Sequence, residues 1–345
     1  MDKLVYLLFL PLAMSFIVSL VLTPVVIKYA SRLGVMDDPK KNKHPKVIHT
    51  KPTPRGGGIP IFFSIFIVSL IFIPIDKHLI SILIGALIIF VMGYLDDKYN
   101  LSPYTRIIIE FIAVLIPVLS GIGINFVTNP FGGTFDLSNP IISDVFACFW
   151  IVFLMNVVNM GAKGIDGQLS GVAIISALTI GALSFSYSTD ITQWPVTLIS
   201  SITAGAFLGF LVWHKYPQKI MPGYGGSTLA GYMLGIASIL STTKVGTLIV
   251  VLGVPLIDTG YVIIRRILSG KSPVWGDRGH LHHRLLDSGL SKSQVTYIYW
   301  LLTAVLGILA LNLNSTYKLY TIIGVTLFVG GLILFLTYRK NKKND

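Results

Sequence analysis

The stretch HLISILIGALIIFVMGYLDD (His78–Asp97) decides what kind of protein this is. From His78 to Leu95 it carries no Asp, Glu, Lys or Arg, and at eighteen residues it is long enough to enter a bilayer as one helix. Two adjacent carboxylates then close it. Adjacent carboxylates repel, so they need a cation, hydrogen bonds or solvent. A helix C-terminus is also an electrostatically poor place for anions. The run therefore predicts a membrane helix whose end carries chemistry.

Outward from this run the pattern repeats. Only 12% of the 345 residues are charged, against about 25% in soluble domains. Apolar runs fall at 4–27, 58–75, 78–95, 106–124, 141–160, 168–186, 194–213, 227–242, 245–264, 296–311 and 318–338. The expectation is an all-α integral membrane protein of about eleven transmembrane helices. Ten is the alternative, because only Asp76 and Lys77 separate the second and third runs and the eighth is short. The whole of 1–345 is expected to form one polytopic domain. No small-residue cleavage site follows the first apolar run, so no removable leader is expected. The single cysteine, Cys148, lies inside an apolar run. That excludes a disulfide framework and a cysteine-based zinc site.

The formal charge of +12 is a matter of topology. Arg32, Lys40, Lys41, Lys43, Lys46, Lys51 and Arg55 fall in the 31–57 loop. Arg265, Arg266, Lys271, Arg278, Arg284 and Lys292 fall in the 265–295 loop, and a basic tail follows at 339–345. Only Lys3, Lys77, Lys244 and Lys318 fall on the other side. The positive-inside bias makes the basic loops cytoplasmic, with the N-terminus out and the C-terminus in. It predicts a multi-pass protein of the cytoplasmic (cell) membrane, and no nucleic-acid partner.

The stretches able to carry chemistry share that cytoplasmic side: HTKPTPRGGG (49–58), GYLDDKYNLSPYTR (93–106), NVVNMGAKGIDGQ (156–168), HKYPQKIMPGYGGS (214–227) and WGDRGHLHHRLLD (275–287). The mid-span regions are nearly free of charge; Glu110 and Asp258, the exceptions, sit near span ends. A transporter wants ionisable groups at the midplane. A site at one membrane face suits an enzyme joining a cytosolic substrate to a lipid. Asp96 and Asp97 offer hard oxygens suited to Mg²⁺. The glycines of MPGYGGS, opening a helix, suit a phosphate cradle. His280, His282 and His283 with Arg278 suit pyrophosphate better than zinc, because Arg makes planar, bidentate phosphate contacts.

In this order, TPRGGGIPIF, DDKYNLSP followed by Arg106, NVVN with GIDG, MPGYGGS and DRGHLHHRLL resemble the polyprenyl-phosphate N-acetylhexosamine-1-phosphate transferase superfamily over about residues 10 to 295. The histidine stretch looks like the WecA/TagO branch rather than MraY. The resemblance implies attack by a polyprenyl phosphate on the β-phosphorus of a UDP-N-acetylhexosamine. The products would be polyprenyl-pyrophosphoryl-sugar and UMP, in the first membrane step of cell-envelope glycopolymer synthesis. It implies Mg²⁺ as cofactor, with Mn²⁺ admissible, and leaves a homodimer open. A lipid phosphomonoester with a second pKa near ~6 is mostly dianionic at neutral pH, so catalysis is chiefly positioning and charge neutralisation.

Carried over residue by residue, the catalytic set is Asp96, Asp97 and Asp166. Asp96 would orient or deprotonate the lipid phosphate, and Asp97 and Asp166 would support the metal. Asn159 would bind the nucleotide sugar; Lys51, Arg55 and Arg106 the phosphates; and Arg278, His280, His282 and His283 the pyrophosphate. Two departures stand out. In NVVNMGAKGIDG the family's first aspartate is missing and Lys163 appears, and in MPGYGGS Tyr224 stands where the family usually has an aspartate. Lys163 and Tyr224 are therefore expected to form an altered phosphate–metal site. A catalytically inactive binding homologue and a lipid or sugar transporter stay open beside the transferase.

Overall fold

The computed structural model describes residues 2–40, 49–241, 245–273, 275 and 277–344. Lys41, Lys43, Lys46, Lys244 and Asp345, and the side chains of Lys340 and Lys343, lie outside the described residues. Thirteen longer helices are described, α1 (Val5–Leu33, its first turn π-helical), α2 (Gly58–Phe72), α3 (Lys77–Tyr99), α4 (Pro103–Leu119), α5 (Pro140–Gly161), α6 (Gln168–Ser186), α7 (Trp194–His214), α8 (Gly223–Leu240), α9 (Val245–Val251), α10 (Gly253–Leu268), α11 (Leu281–Asp287), α12 (Lys292–Asn312) and α13 (Ser315–Asn344), with a 3-10 turn at Ile191–Gln193 leading into α7. Two short antiparallel pairs complete it, β1 (Met36–Asp37) with β2 (Thr53–Pro54), and β3 (Phe126–Thr128) with β4 (Thr134–Asp136).

Local chemistry sets the helix ends. Asp76 caps α3 by accepting the Leu79 N–H at 2.8 Å. The same helix stops at Asn100, whose φ of 52° is left-handed. Asn139 caps α5, and Ser291 with Gln294 forms a capping box at α12.

Every expected apolar run contains helix, but they are not equivalent. Among the described residues, seven helices are long and apolar enough to cross a membrane, or eight if α9 and α10 count as one broken span. The pair is bent by 80° next to Gly253 and Pro255. Helix α2 has 15 residues and α4 has 17, or roughly 22 and 25 Å at 1.5 Å per residue. Helix α8 opens with Gly223, Tyr224 and two more glycines, which shortens its apolar part. The expected cytoplasmic loop at 265–295 is not a free loop either: it includes α11, which packs on α12 and α13.

Helix α8 lies at the centre, buried from Gly223 through Ile239, with α2, α3, α5 and α7 around it. Helix α1 rests on α7, and α12 on α6. Outer faces such as Ile17, Val21, Leu327 and Phe328 remain exposed and apolar, as a lipid-facing surface must be. The α3–α8 contact is backbone on backbone. A β-carbon at Gly93 would lie 2.2 Å from Gly225 Cα, so only glycine permits this approach. That contact aligns the end of α3 with the start of α8.

Candidate active site

The C-terminal end of α3 meets the N-terminus of α8. Asp97 Oδ1 accepts the Tyr224 N–H at 2.8 Å, so its carboxylate occupies the positive end of α8. Gly223 makes room for it. Its φ is 65°, and a β-carbon there would lie 2.0 Å from Asp97 Oδ2 and 2.2 Å from the Arg55 carbonyl. Strand β2 is tied to the same turn, with the Met221 N–H on the Pro54 carbonyl at 2.7 Å. Arg55, next along, reaches Asp97 at 3.6 Å. The MPGYGGS glycines are thus the first turn of α8, and Asp97 fills the place expected to cradle a phosphate.

Asp96 turns elsewhere, because neighbouring side chains on a helix diverge by about 100°. It accepts the Leu101 N–H at 3.0 Å and pairs with Arg106 at 3.0 Å. The Arg106 guanidinium in turn lies 4.8 Å from the Tyr224 ring centroid, a cation–π placement.

Lys163 approaches the same ring at 5.6 Å. Its ammonium donates to Asn159 Oδ1, and to the Gly223 carbonyl at 3.3 Å. Ser227 also donates to Asn159 Oδ1, at 2.8 Å. The Tyr224 hydroxyl does not meet substrate space as expected: it donates to Glu110 Oε1 at 2.7 Å. Asn156 donates to the other oxygen of that fully buried carboxylate at 2.6 Å.

The three histidines are buried rather than displayed. His280 Nδ1 bonds Asp258 Oδ2 at 2.9 Å, and the Leu281 N–H bonds Asp258 Oδ1 at 2.7 Å. A carboxylate on one ring nitrogen fixes the tautomer at the other. The His280 and His282 rings stack, with centroids 5.5 Å apart. His282 presses on the turn after α5, since a β-carbon at Gly164 would lie 2.0 Å from its Nε2. The cluster and the Lys163–Gly164 turn are therefore in contact. Beside them, burial alone would raise the Asp277 carboxyl. Hydrogen bonds from Arg266 and the Gly279 N–H, with the nearby Arg265, instead hold it at about 2.

The structure thus brings together Arg55, Asp97, Asn159, Lys163 and Tyr224, with Asp96 and Arg106 adjoining, and sets the histidines against Gly164. Lys51 is exposed, and its side chain makes no hydrogen bond or ion pair with the described residues. Arg278 is exposed and turned to Asp287 at 3.3 Å. Sequence reasoning passed over Glu110 and Asp258 as charges near span ends. Their signal was the cost itself: a carboxylate in an apolar helix needs a fixed partner.

Tested against magnesium, this donor set does not fit. Asp166 accepts the Gln218 N–H at 3.2 Å and pairs with Lys292 at 3.6 Å, so each of the three candidate carboxylates already has its own cation. Among the described residues no three His, Cys, Asp or Glu side chains converge as a ligand group. A dication beside Asp97 would also face Arg55 and Lys163.

Comparison with known proteins follows the same lines. Residues 79–242 match the model of glycosyl transferase family 4. A Bacillus subtilis (strain 168) protein, named as a probable undecaprenyl-phosphate N-acetylglucosaminyl 1-phosphate transferase, is 33% identical over 320 residues, covering 88% of this chain and 85% of the relative. A decaprenyl-phosphate N-acetylglucosaminephosphotransferase of Mycobacterium tuberculosis (strain ATCC 25618 / H37Rv) is 30% identical, covering 79% and 74%. An undecaprenyl-phosphate alpha-N-acetylglucosaminyl 1-phosphate transferase of Haemophilus influenzae is 29% identical, covering 94% and 90%.

Proposed function

This chain belongs to the polyprenyl-phosphate N-acetylhexosamine-1-phosphate transferases of glycosyl transferase family 4, and from that membership we propose the reaction it runs. It transfers N-acetylglucosamine-1-phosphate from UDP-N-acetylglucosamine to a polyprenyl phosphate, undecaprenyl phosphate being the first candidate. A lipid phosphate oxygen bonds the β-phosphorus. The bond from that phosphorus to the bridging oxygen breaks, and UMP leaves with that oxygen and its electron pair.

The observation that supports this best is the seat of Asp97 on the α8 N-terminus at 2.8 Å, ringed by Arg55, Lys163 and, through the Tyr224 ring, Arg106. Fixed cations around one small turn are what a pyrophosphate group requires. Beside it, Gly56, Gly58, Ile59, Phe90, Tyr94, Asp97 and Gly225 line a small cleft. Its apolar wall suits the first prenyl carbons, and Arg55, 3.6 Å from Asp97, supplies the positive charge that a phosphate head beside that carboxylate requires. Asp96, paired with Arg106, orients the lipid phosphate in this scheme.

The test is UMP release by the detergent-solubilised full chain. UMP should appear from UDP-N-acetylglucosamine only when undecaprenyl phosphate is present. Release without lipid would mean a hydrolase. No release with any UDP-sugar would favour the inactive binding homologue, which the tyrosine at position 224 keeps in play.

The finer topology belongs to the same proposal: eleven crossings of the cytoplasmic membrane, N-terminus outside, C-terminus and site inside. Ser288 ends α11, and Cys148 is buried. Ser288→Cys should therefore stay unlabelled by an impermeant maleimide added to intact cells and react once the cells are opened. Labelling from outside would reverse both the orientation and the side of the site.

A further inference from the structure

We infer that Lys163 is the resident cation of this site, holding the pyrophosphate with its ammonium so that the reaction needs no divalent ion. The inference rests on the transferase reading above, and it starts from how the carboxylates are spent. Asp96 is engaged by Arg106 at 3.0 Å, Asp97 by the Tyr224 N–H at 2.8 Å and Arg55 at 3.6 Å, and Asp166 by Lys292 at 3.6 Å. Mg²⁺ asks for near-octahedral oxygen ligation, and the three carboxylates face separate cations rather than one another, Asp166 Oδ1 having no hydrogen bond and only the 3.6 Å ion pair to Lys292.

Lys163, by contrast, is held as an ion would be. Two oxygens from different elements take its N–H groups: Asn159 Oδ1 on α5 and the Gly223 carbonyl at the start of α8, the latter at 3.3 Å. The Tyr224 ring closes one side at 5.6 Å from Nζ. The ring cannot swing away, because its hydroxyl is anchored on Glu110 at 2.7 Å and its N–H on Asp97. Tyr224 thus acts as a positioning residue for two cations, Lys163 and Arg106, both over its face.

An ammonium fixed this way supplies positive charge at a phosphate as a point charge. It contributes no proton to the transfer. The phosphate dianion of the lipid is already the nucleophile, and UMP departs as an anion. What the site must supply is charge of the right sign at the leaving pyrophosphate, and Lys163 with Arg55 supplies it.

The experiment pairs binding with turnover in EDTA. Full-length protein in lipid nanodiscs is given UDP-N-acetylglucosamine, with and without undecaprenyl phosphate, in EDTA or in Mg²⁺. UMP release should differ by less than about twofold between EDTA and Mg²⁺. Lys163→Gln, which keeps length and loses charge, should weaken UDP-N-acetylglucosamine binding at least about tenfold in both conditions, one ten-fold step being a modest charge-assisted contact. Lys163→Asp combined with Tyr224→Asp should make whatever binding survives depend on Mg²⁺, whereas Tyr224→Asp alone should not raise turnover. Binding or turnover of the natural chain that vanishes in EDTA and returns with Mg²⁺ would overturn the inference and leave the transferase reading intact. Cation-independent binding that Lys163→Gln destroys, without UMP release in any condition, would overturn the transferase reading and keep the lysine in its place.

Discussion

Asp97→Asn is expected to cut UMP release by at least about 10³-fold, a loss typical of removing a preorganised electrostatic group. The amide oxygen can still accept the Tyr224 N–H, so the α3–α8 joint should survive. What disappears is the negative charge to which Arg55 is directed at 3.6 Å and beside which Lys163 sits. Both cations reach solvent, so water takes up much of their freed charge and the fold loses little. Their aim at the pyrophosphate is lost. Asp96→Asn should reach a similar loss by another route, releasing Arg106 from its 3.0 Å partner. It should leave UDP-N-acetylglucosamine binding within a few-fold, since the proposed reaction gives Asp96 to the lipid phosphate. Steady-state UMP release, with nucleotide binding measured on the same preparations, checks both. Near-normal turnover in either variant, in a preparation that elutes as folded protein, would remove the assignment.

Gly93→Ala should be among the most damaging glycine-to-alanine changes in the described residues. Its β-carbon would come within 2.2 Å of Gly225 Cα and 2.7 Å of Gly225 N. Neither atom belongs to a side chain that can turn away, so α3 and α8 must separate. Overpacking of this kind costs about 1–3 kcal/mol where side chains can shift, and this contact is backbone, so the upper end or beyond is expected. Thermal unfolding in detergent should move down by several degrees, and UMP release should fall further than stability does, because the same joint seats Asp97. Gly324 in α13 has nothing within 4 Å of an added β-carbon. Gly324→Ala should therefore melt and turn over as the natural chain does, and equal behaviour of the two variants would show that the α3–α8 joint is not tight.

The membrane class and the order of the motifs were legible in the sequence because both are local. An uncharged run closing on Asp96-Asp97, or a basic loop between apolar runs, needs no knowledge of distant residues. Partnerships were not legible. Tyr224 and Glu110 are 114 positions apart, and nothing in either stretch says that a tyrosine expected to face phosphate would instead bond a carboxylate in α4. The start of α8 at Gly223 rather than Ser227 was missed for a related reason. Glycines argue against helix on propensity alone, and here tertiary contact with Gly93 and Asp97 demands them. The 80° break before α10 did have a signal, Gly253 and Pro255 within one apolar run. The run was nevertheless counted as a single crossing because its length suited one. Asp258 was noticed as a charge but not as the group that holds His280, 22 residues later.

The unequal lengths of α2 and α13 bear on the shape of the bilayer itself. The apolar part of α13, Ser315–Arg339, has 25 residues, or roughly 37 Å of helix, while α2 offers roughly 22 Å; the hydrocarbon layer is about 30 Å thick. Beside α13 lipid thickens or the helix tilts, and α2 is too short to cross a layer of that thickness unless lipid thins beside it. The thin flank runs along α2, whose Phe63, Ile67, Leu70 and Ile71 face outward and whose first residue, Gly58, lines the cleft that Asp97 closes. In the proposed orientation, which puts the site on the cytoplasmic face, the headgroup plane dips there toward the mouth of the cleft. A prenyl phosphate drifting in that leaflet then meets the carboxylates at its own depth, without having to be lifted out of the membrane.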